Sequence, residues 1–127
     1  MREILFRGKR TDNGEWVEGY YLQLGPVTLK RAYIIPHYAS AMYTYEVDPN
    51  TVGQFTGLMD KADKMIFEGD IVSFGANVYV VKYIEKYSRF SGTMPGIVFS
   101  GFPLANSIVI GNIHDNQELL KEGEDDG

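Results

Sequence analysis

The stretch Val52-Gly-Gln-Phe-Thr-Gly-Leu-Met-Asp-Lys-Ala-Asp-Lys-Met-Ile-Phe-Glu-Gly-Asp-Ile-Val72 decides the fold. Two apolar runs, Phe55 to Met59 and Met65 to Phe67, flank a polar bridge. Glu68-Gly69-Asp70 then turns the chain into a third run that starts at Ile71. Short apolar runs bounded by Gly and Asp predict a β-hairpin feeding a barrel strand. Gly57, Asp60, Gly69 and Asp70 are its structural turn residues: Gly69 takes a conformation closed to side chains, and the Asp carboxylates accept hydrogen bonds from nearby main-chain amides.

The same stretch holds the densest carboxylate group, Asp60, Asp63, Glu68 and Asp70. Such a group suits a hard cation or an acid/base pair, and so a divalent-cation-dependent hydrolase. The spacing argues against a calcium loop. One starting at Asp60 needs oxygen ligands at Ala62 and Lys64, which have none to give. Turn chemistry is the reading preferred here, and no metal, cofactor or catalytic residue is assigned.

Composition narrows the class. The 127 residues suffice for one core. Nine Tyr, seven Phe and one Trp, punctuated by fourteen Gly and five Pro, favour pleated surfaces over helices. The net charge of −5 is concentrated at the end: Gln117 to Gly127 sets Glu118, Glu122, Glu124, Asp125 and Asp126 against Lys121. The remainder is nearly neutral, which argues against a broad footprint for duplex DNA or anionic membrane. With no Cys there are no disulfides, thiolate metal sites or Cys nucleophiles. No apolar run nears the roughly 20 residues of a membrane span and no signal-peptide core is visible, so a soluble cytoplasmic protein is expected.

Outward from the central stretch, Asn13-Gly14 predicts a hairpin with a type I′ turn between Ile4-Leu5-Phe6 and Glu15 to Leu24. Gly25-Pro26 ends the second strand, and Val27 to Ile35 reads as a third, stopped by Pro36. Ala39 to Met42 suits a short helix, Tyr43 to Val47 a strand, and Asp48-Pro49-Asn50 a turn. Beyond the centre, Ile71 to Phe74 and Val78 to Tyr87 are strands joined at Gly75-Ala76-Asn77, with Tyr79, Val81 and Tyr83 on one face. Ser88 to Gly96 reads as a mobile exposed loop, Ile97 to Phe99 and Ser107 to Ile110 as strands. Asn116 is placed to cap a helical turn over Gln117 to Lys121, and Gly123 to Gly127 as a disordered tail.

Other groups carry weaker signals. His37 and His114 are the two candidate general bases, and neither sits by a nucleophile elbow. Gly8-Lys9-Arg10-Thr11 lacks the upstream Gly of a phosphate loop and places Arg where its hydroxyl belongs. Arg2, Arg7, Lys9 and Arg10 read as a charged strand edge. Tyr79, Lys82, Tyr83, Lys86, Tyr87, Arg89 and Phe90 interleave rings with cations, a pattern that stacks and neutralises single-stranded nucleic acid but also serves core packing. Trp16 is a cross-strand anchor if buried and a partner-binding residue if exposed.

Several of these pieces together resemble the YopX family of bacteriophages and prophages, mainly of Gram-positive bacteria. The resemblance rests on Arg2 to Arg7, on Glu46 to Leu58 with Asp60, on Ile66 to Val72, and on Gly111-Asn112-Ile113-His114-Asp115-Asn116, in that order and across most of the chain. Ala62-Asp63 departs from it, standing where relatives often have an Asn-Gly-like pair. The resemblance implies similarity to SH3-type barrels in the C-terminal part, and no established activity or cofactor.

The resulting expectation is a mostly β protein. An N-terminal β-hairpin and strand region (1–50) joins a small SH3-like β-barrel (51–116), followed by a helical turn and disordered acidic tail (117–127), the whole forming one unit. The expected function is that of a non-catalytic protein-interaction module in the cytoplasm of the bacterial host. Its expected partner is a host or phage protein, with self-association open and no membrane role. The alternative is single-stranded nucleic-acid binding through Tyr79 to Phe90.

Overall fold

Asn13-Gly14 makes a hairpin by a different turn from the one its sequence suggests. In the computed structural model, which describes residues 4–26, 31–36, 43–97 and 101–121, Gly14 has φ +73 while Asn13 is not in the left-handed region. A type I′ turn needs positive φ at both positions. The loop instead closes through Arg10 N to Glu15 O (2.9 Å) and Gly14 N to Arg10 O (3.0 Å). Asn13 contributes its side chain, whose Oδ1 accepts from Glu15 N at 2.9 Å. The strands so joined are β1 (Phe6–Lys9) and β2 (Trp16–Leu24), antiparallel with Lys9 opposite Trp16.

The chain divides into two compact units, Met1–Phe55 and Thr56–Gly127. In the first, β3 (Arg31–Pro36) pairs with β2 and β4 (Tyr45–Val47) with β3, all antiparallel; the start of β5 (Gly53–Met59) pairs with β1. Alternation puts Val17, Ala32, Ile34 and Val47 on one face as the core of this unit, with Phe6, Tyr21, Tyr45 and Val52 packed against them. The sheet curls enough for β4 to be held on its other side as well. Thr11 N donates to Glu46 O (3.0 Å) and Asp48 N to Lys9 O (2.8 Å). Asp48 caps a 3₁₀ turn over Pro49–Thr51, its Oδ1 accepting from Asn50 N (3.0 Å). Thr51 Oγ1 fastens that turn to β1 by accepting from Lys9 N at 2.8 Å.

In the second unit, the rest of β5 pairs with β6 (Met65–Phe67). A separate antiparallel sheet follows the order β10-β7-β8-β9, built from β7 (Asp70–Phe74), β8 (Asn77–Ile84), β9 (Arg89–Thr93) and β10 (Ile108–Asn112). Its core is Ile66, Val72, Tyr79, Val81 and Leu104, with Phe90, Met94, Phe102 and Val109 against it. Fully burying a side chain of Val or Ile size contributes about 2 kcal/mol.

Three expectations need correction. The described strands form open antiparallel sheets and close no barrel, because β9 and β10 end the four-strand order without pairing to each other. Arg89 to Thr93, read as part of an exposed loop, is strand β9. Gly92 weakened the strand signal, yet it is there because a Cβ at this position would stand 2.8 Å from the Phe102 ring. That ring packs edge-on to Tyr79 at 4.7 Å between centroids. Finally, Asn116 precedes a short helix, α1 (Glu118–Lys121), and its main-chain O accepts from Leu119 N at 3.0 Å; its side-chain Oδ1 is turned the other way and accepts from Asn112 N at 3.1 Å, holding the turn against β10. The helix suggested for Ala39 to Met42, most of the strand at Ile97 to Phe99, and the acidic tail beyond Lys121 lie outside the described residues. Among the described residues no helix is long and apolar enough to cross a membrane.

Candidate functional site

Asp60 directly follows β5 and is 4% exposed. Its Oδ1 accepts from Ala62 N (2.8 Å) and Lys64 N (2.9 Å), closing the β5–β6 hairpin, and its Oδ2 accepts from Val109 N (2.9 Å) on β10. One carboxylate thus ties a hairpin to a strand 49 residues further along. Burial by itself raises the pKa of this group. The three amide hydrogen bonds outweigh it, with help from the Lys64 charge, and hold the carboxyl below its ordinary value. Asp63 takes the left-handed position of the turn at φ +62 and is exposed. An Asp tolerates that conformation better than most residues, so Ala62-Asp63 turns the chain without an Asn-Gly pair.

The other two acidic positions belong to the next turn. Asp70, 1% exposed, accepts from Phe67 N through Oδ2 at 2.7 Å. Glu68 is half-buried beside it. Between them Gly69 has φ +93, donates to Val81 O (2.9 Å) and accepts from Ile113 N (2.9 Å). Ile113 belongs to the turn after β10, where Asn112 Oδ1 accepts from both His114 N and Asp115 N at 2.9 Å. The motifs ending at Asp70 and at Asn116 therefore meet through the main-chain bond from Ile113 N to Gly69 O, whereas Asp60 reaches β10 through its carboxylate. Gly57, read as a turn residue, lies instead inside β5 at φ +88; Thr56 Oγ1 accepts from Leu58 N (3.2 Å) and donates to Ile66 O (2.8 Å) across that kink. Among the described residues no group of three or more His, Asp or Glu is disposed to hold a metal ion. His114 is exposed, and His37 lies outside the described residues.

The aromatic and basic positions divide. Tyr79 is 7% exposed and belongs to the core. Tyr83, Lys82, Lys86, Tyr87 and Arg89 are exposed around the end of the β8–β9 hairpin, with Phe90 half-buried. A 3₁₀ turn over Glu85–Tyr87 makes that end, and Ser88 at φ 52 reverses the chain into β9. Tyr83 and Phe90 are cross-strand partners, their rings edge-on at 5.1 Å. The Lys86 Nζ and Arg89 Cζ lie 5.6 and 5.7 Å from the Tyr87 ring centroid. The sequence did not separate the buried ring from the exposed ones, because Tyr79 and Tyr83 share a face and differ only in how far the covering Phe102 and Leu104 reach along the strand.

Trp16 belongs to the N-terminal unit, half-buried, with Arg7 Cζ 4.7 Å and Lys9 Nζ 5.6 Å from its ring centroid. Arg10 lies 4.1 Å from the Tyr45 ring centroid and grips Asp12 through two hydrogen bonds of 2.9 and 2.6 Å. The segment that resembled a phosphate loop uses its amides on the chain itself: those of Lys9, Arg10 and Thr11 go to Thr51, Glu15 and Glu46.

The solved structure of protein EF1440 from Enterococcus faecalis superposes with a TM-score of 0.52 at 24% identity, covering 94% of this chain and 99% of that one. At that identity the likeness concerns the fold alone. No curated protein matches the chain. The family model described as YopX protein matches residues 5–121. Those residues take in every turn motif whose hydrogen bonds are described above, and on that match the chain belongs to the YopX family.

Proposed function

We propose that the chain is a non-enzymatic interaction module made during phage or prophage growth in the bacterial cytoplasm, and that it binds an acidic protein segment through the end of the β8–β9 hairpin. The observation that carries the reading is the concentration there of Lys82, Lys86 and Arg89 with the exposed rings of Tyr83 and Tyr87. Projecting aromatics and cations supply contact area and charge complementarity at low ordering cost. The engagement of Asp60 and Asp70 by main-chain amides supports the non-enzymatic part, since those oxygens face donors and not a cleft. Within this proposal the C-terminal unit is an opened version of the SH3-type barrel that the family resemblance implies, with the hairpin end as its working loop.

The test is a comparison of two baits in lysate from induced lysogens: the native chain and a variant carrying Tyr83→Ser, Lys86→Ser and Tyr87→Ser. A stoichiometric protein retained by the first and lost by the second supports the reading. Equal recovery, or none by either, overturns it. Single-stranded nucleic acid is the second reading, favoured by the same rings and cations. It is decided by fluorescence anisotropy of a labelled oligonucleotide in low salt: binding abolished by the triple variant selects it, and a flat titration removes it.

A further inference from the structure

We infer that two copies of this chain join edge to edge through the second half of β2, Tyr20 to Leu24, each strand pairing antiparallel with the same strand of the other copy about a twofold axis at Leu22. This surface belongs to the N-terminal unit, so the inference stands apart from the reading of the β8–β9 hairpin.

Strand β2 is nine residues long, but β1 covers only its first part. Their register runs from Lys9 opposite Trp16 to Phe6 opposite Gly19 and stops there. Beyond that point Leu5 has turned to β5, its O accepting from Phe55 N at 2.7 Å. On the other side of β2, β3 pairs from Gly19 through to Leu24. Tyr20 to Leu24 therefore have a strand on one side and, among the described residues, none on the other. Alternation tells which main-chain groups face that open side. Lys9 directs its N–H to Thr51 Oγ1 and its O to Asp48 N, away from β2, whereas Arg10 N donates to Glu15 O. In an antiparallel pair such roles alternate along the strand, so Glu15, Val17 and Gly19 face β1 while Trp16, Glu18, Tyr20, Leu22 and Leu24 face β3. Pro36, which has no N–H, accordingly stands opposite Gly19. The N–H and C=O groups of Tyr21 and Gln23 continue the β1-facing series past the end of β1.

That pattern is complementary to itself. About a twofold axis at Leu22, Tyr21 of each copy stands opposite Gln23 of the other, a pairing in which both residues exchange hydrogen bonds. A longer register is closed off, since Gly19 is engaged by β1 and Gly25, at φ +96, ends the strand. The side chains fit as well. Tyr20, Leu22 and Leu24 are exposed on one face; the pairing sets Leu22 against Leu22 and Tyr20 against Leu24 of the other copy, apolar contacts that stabilise sheets. Tyr20-Tyr-Leu-Gln-Leu24 carries neither charge nor Pro, the usual devices that keep edges apart, and places no like charges opposite one another. Five residues of strand are about 17 Å long on a sheet about 10 Å thick. The area covered is well under the about 800 Å² per partner of a standard interface, so the dimer is weak, with a dissociation constant of about 100 µM. A second copy supplies this match from the chain's own residues; a strand of another protein is the rival occupant, and the experiment separates the two.

The chain has no Cys, so single replacements report the register directly. In this pairing the two Leu22 residues form a non-hydrogen-bonded pair with Cα atoms about 4.5 Å apart, within disulfide range. The two Leu24 residues are offset by four positions along the strands, about 14 Å. Under oxidation by copper-phenanthroline, the Leu22→Cys variant should form covalent dimer at least about tenfold faster than Leu24→Cys, and combining Tyr20→Cys with Leu24→Cys should restore the rate. Sedimentation equilibrium of the native chain should show dimer growing between about 10 and 500 µM. Leu22→Lys sets like charges opposite each other on the axis and should stay monomeric; as Leu22 is exposed in the single chain, its circular dichroism should match the native spectrum. Equal coupling at positions 22 and 24, or a dimer unmoved by Leu22→Lys, would overturn the inference. So would a native chain that is monomeric throughout, including one that retains a lysate protein which Leu22→Lys loses, because the edge then seats a foreign strand.

Discussion

Replacing Asp60 by Asn exchanges one acceptor oxygen for an NH₂ group while preserving shape. Oδ1 faces two amide donors and Oδ2 faces one. The Asn oxygen keeps the pair at Ala62 and Lys64, and its nitrogen then confronts Val109 N, donor against donor. A hydrogen bond to a charged group contributes about 1.5 to 3 kcal/mol and an orphaned, partly buried amide costs about 1 to 3 kcal/mol. Both losses fall on one bond and are not fully additive, so a destabilisation of about 3 kcal/mol is expected. Asp60→Ala frees all three amides, but those of Ala62 and Lys64 belong to exposed residues and regain water, so it should cost only about 1 kcal/mol more. Urea unfolding followed by far-ultraviolet circular dichroism measures this directly. With a slope of roughly 1.5 kcal/mol per molar for a domain of this size, the Asn midpoint should drop by about 2 M. Asp63→Asn is the control, because Asn accepts the left-handed conformation as readily as Asp; its midpoint should stay put. Equal small effects at the two positions would refute the assignment of Asp60 as the tie between hairpin and β10.

The pH dependence follows from the same group. Since the folded carboxyl titrates below its unfolded value, its stabilisation is complete above about pH 4 and is lost as pH falls through the folded pKa. The gap between native and Asp60→Asn stability should therefore narrow in acid, and a gap that widens below pH 4 would contradict this. Gly69→Ala should cost about 1 to 3 kcal/mol in urea unfolding, through φ +93 alone, as the new Cβ meets Ile113 and His114 only at ordinary contact distance. Gly92→Ala should cost a similar amount for the opposite reason, overpacking against Phe102 at 2.8 Å, and Phe102→Leu in the same chain should recover part of it. Asp12→Asn breaks an ion pair that lies in solvent, and its thermal midpoint should match that of the native chain.

Short-range chemistry was legible in the sequence wherever one residue type had one job. The Asp48-Pro49-Asn50 turn and the bend at Gly69 are local, and both occur as read. What was not legible depends on residues far apart in the chain. Asn13 favours positive φ in isolation, but here a four-residue loop leaves its side chain better used on Glu15 N. Gly92 looked like a loop marker because the Phe102 ring that needs its missing Cβ is ten residues away. Asp60 was read as an acceptor of amide hydrogen bonds, yet Val109 as one of its donors belongs to a strand that no local pattern ties to it. The same distance effect hid the division of the aromatics: Tyr79 and Tyr83 are equivalent by alternation, and only packing distinguishes a core ring from a surface one. Barrel closure, a property of which edges meet, was the least readable feature of all.

The proposal on which this account turns is that the acidic residues between Val52 and Val72 hold backbone together and do not serve a reaction. A carbon-detected nuclear magnetic resonance titration of the Asp60 carboxyl tests it most directly, run with and without millimolar magnesium. The account predicts a midpoint below the ordinary value of about 3.9 and identical curves in both buffers. A midpoint raised toward neutrality, or a saturable shift on adding the cation, would contradict it.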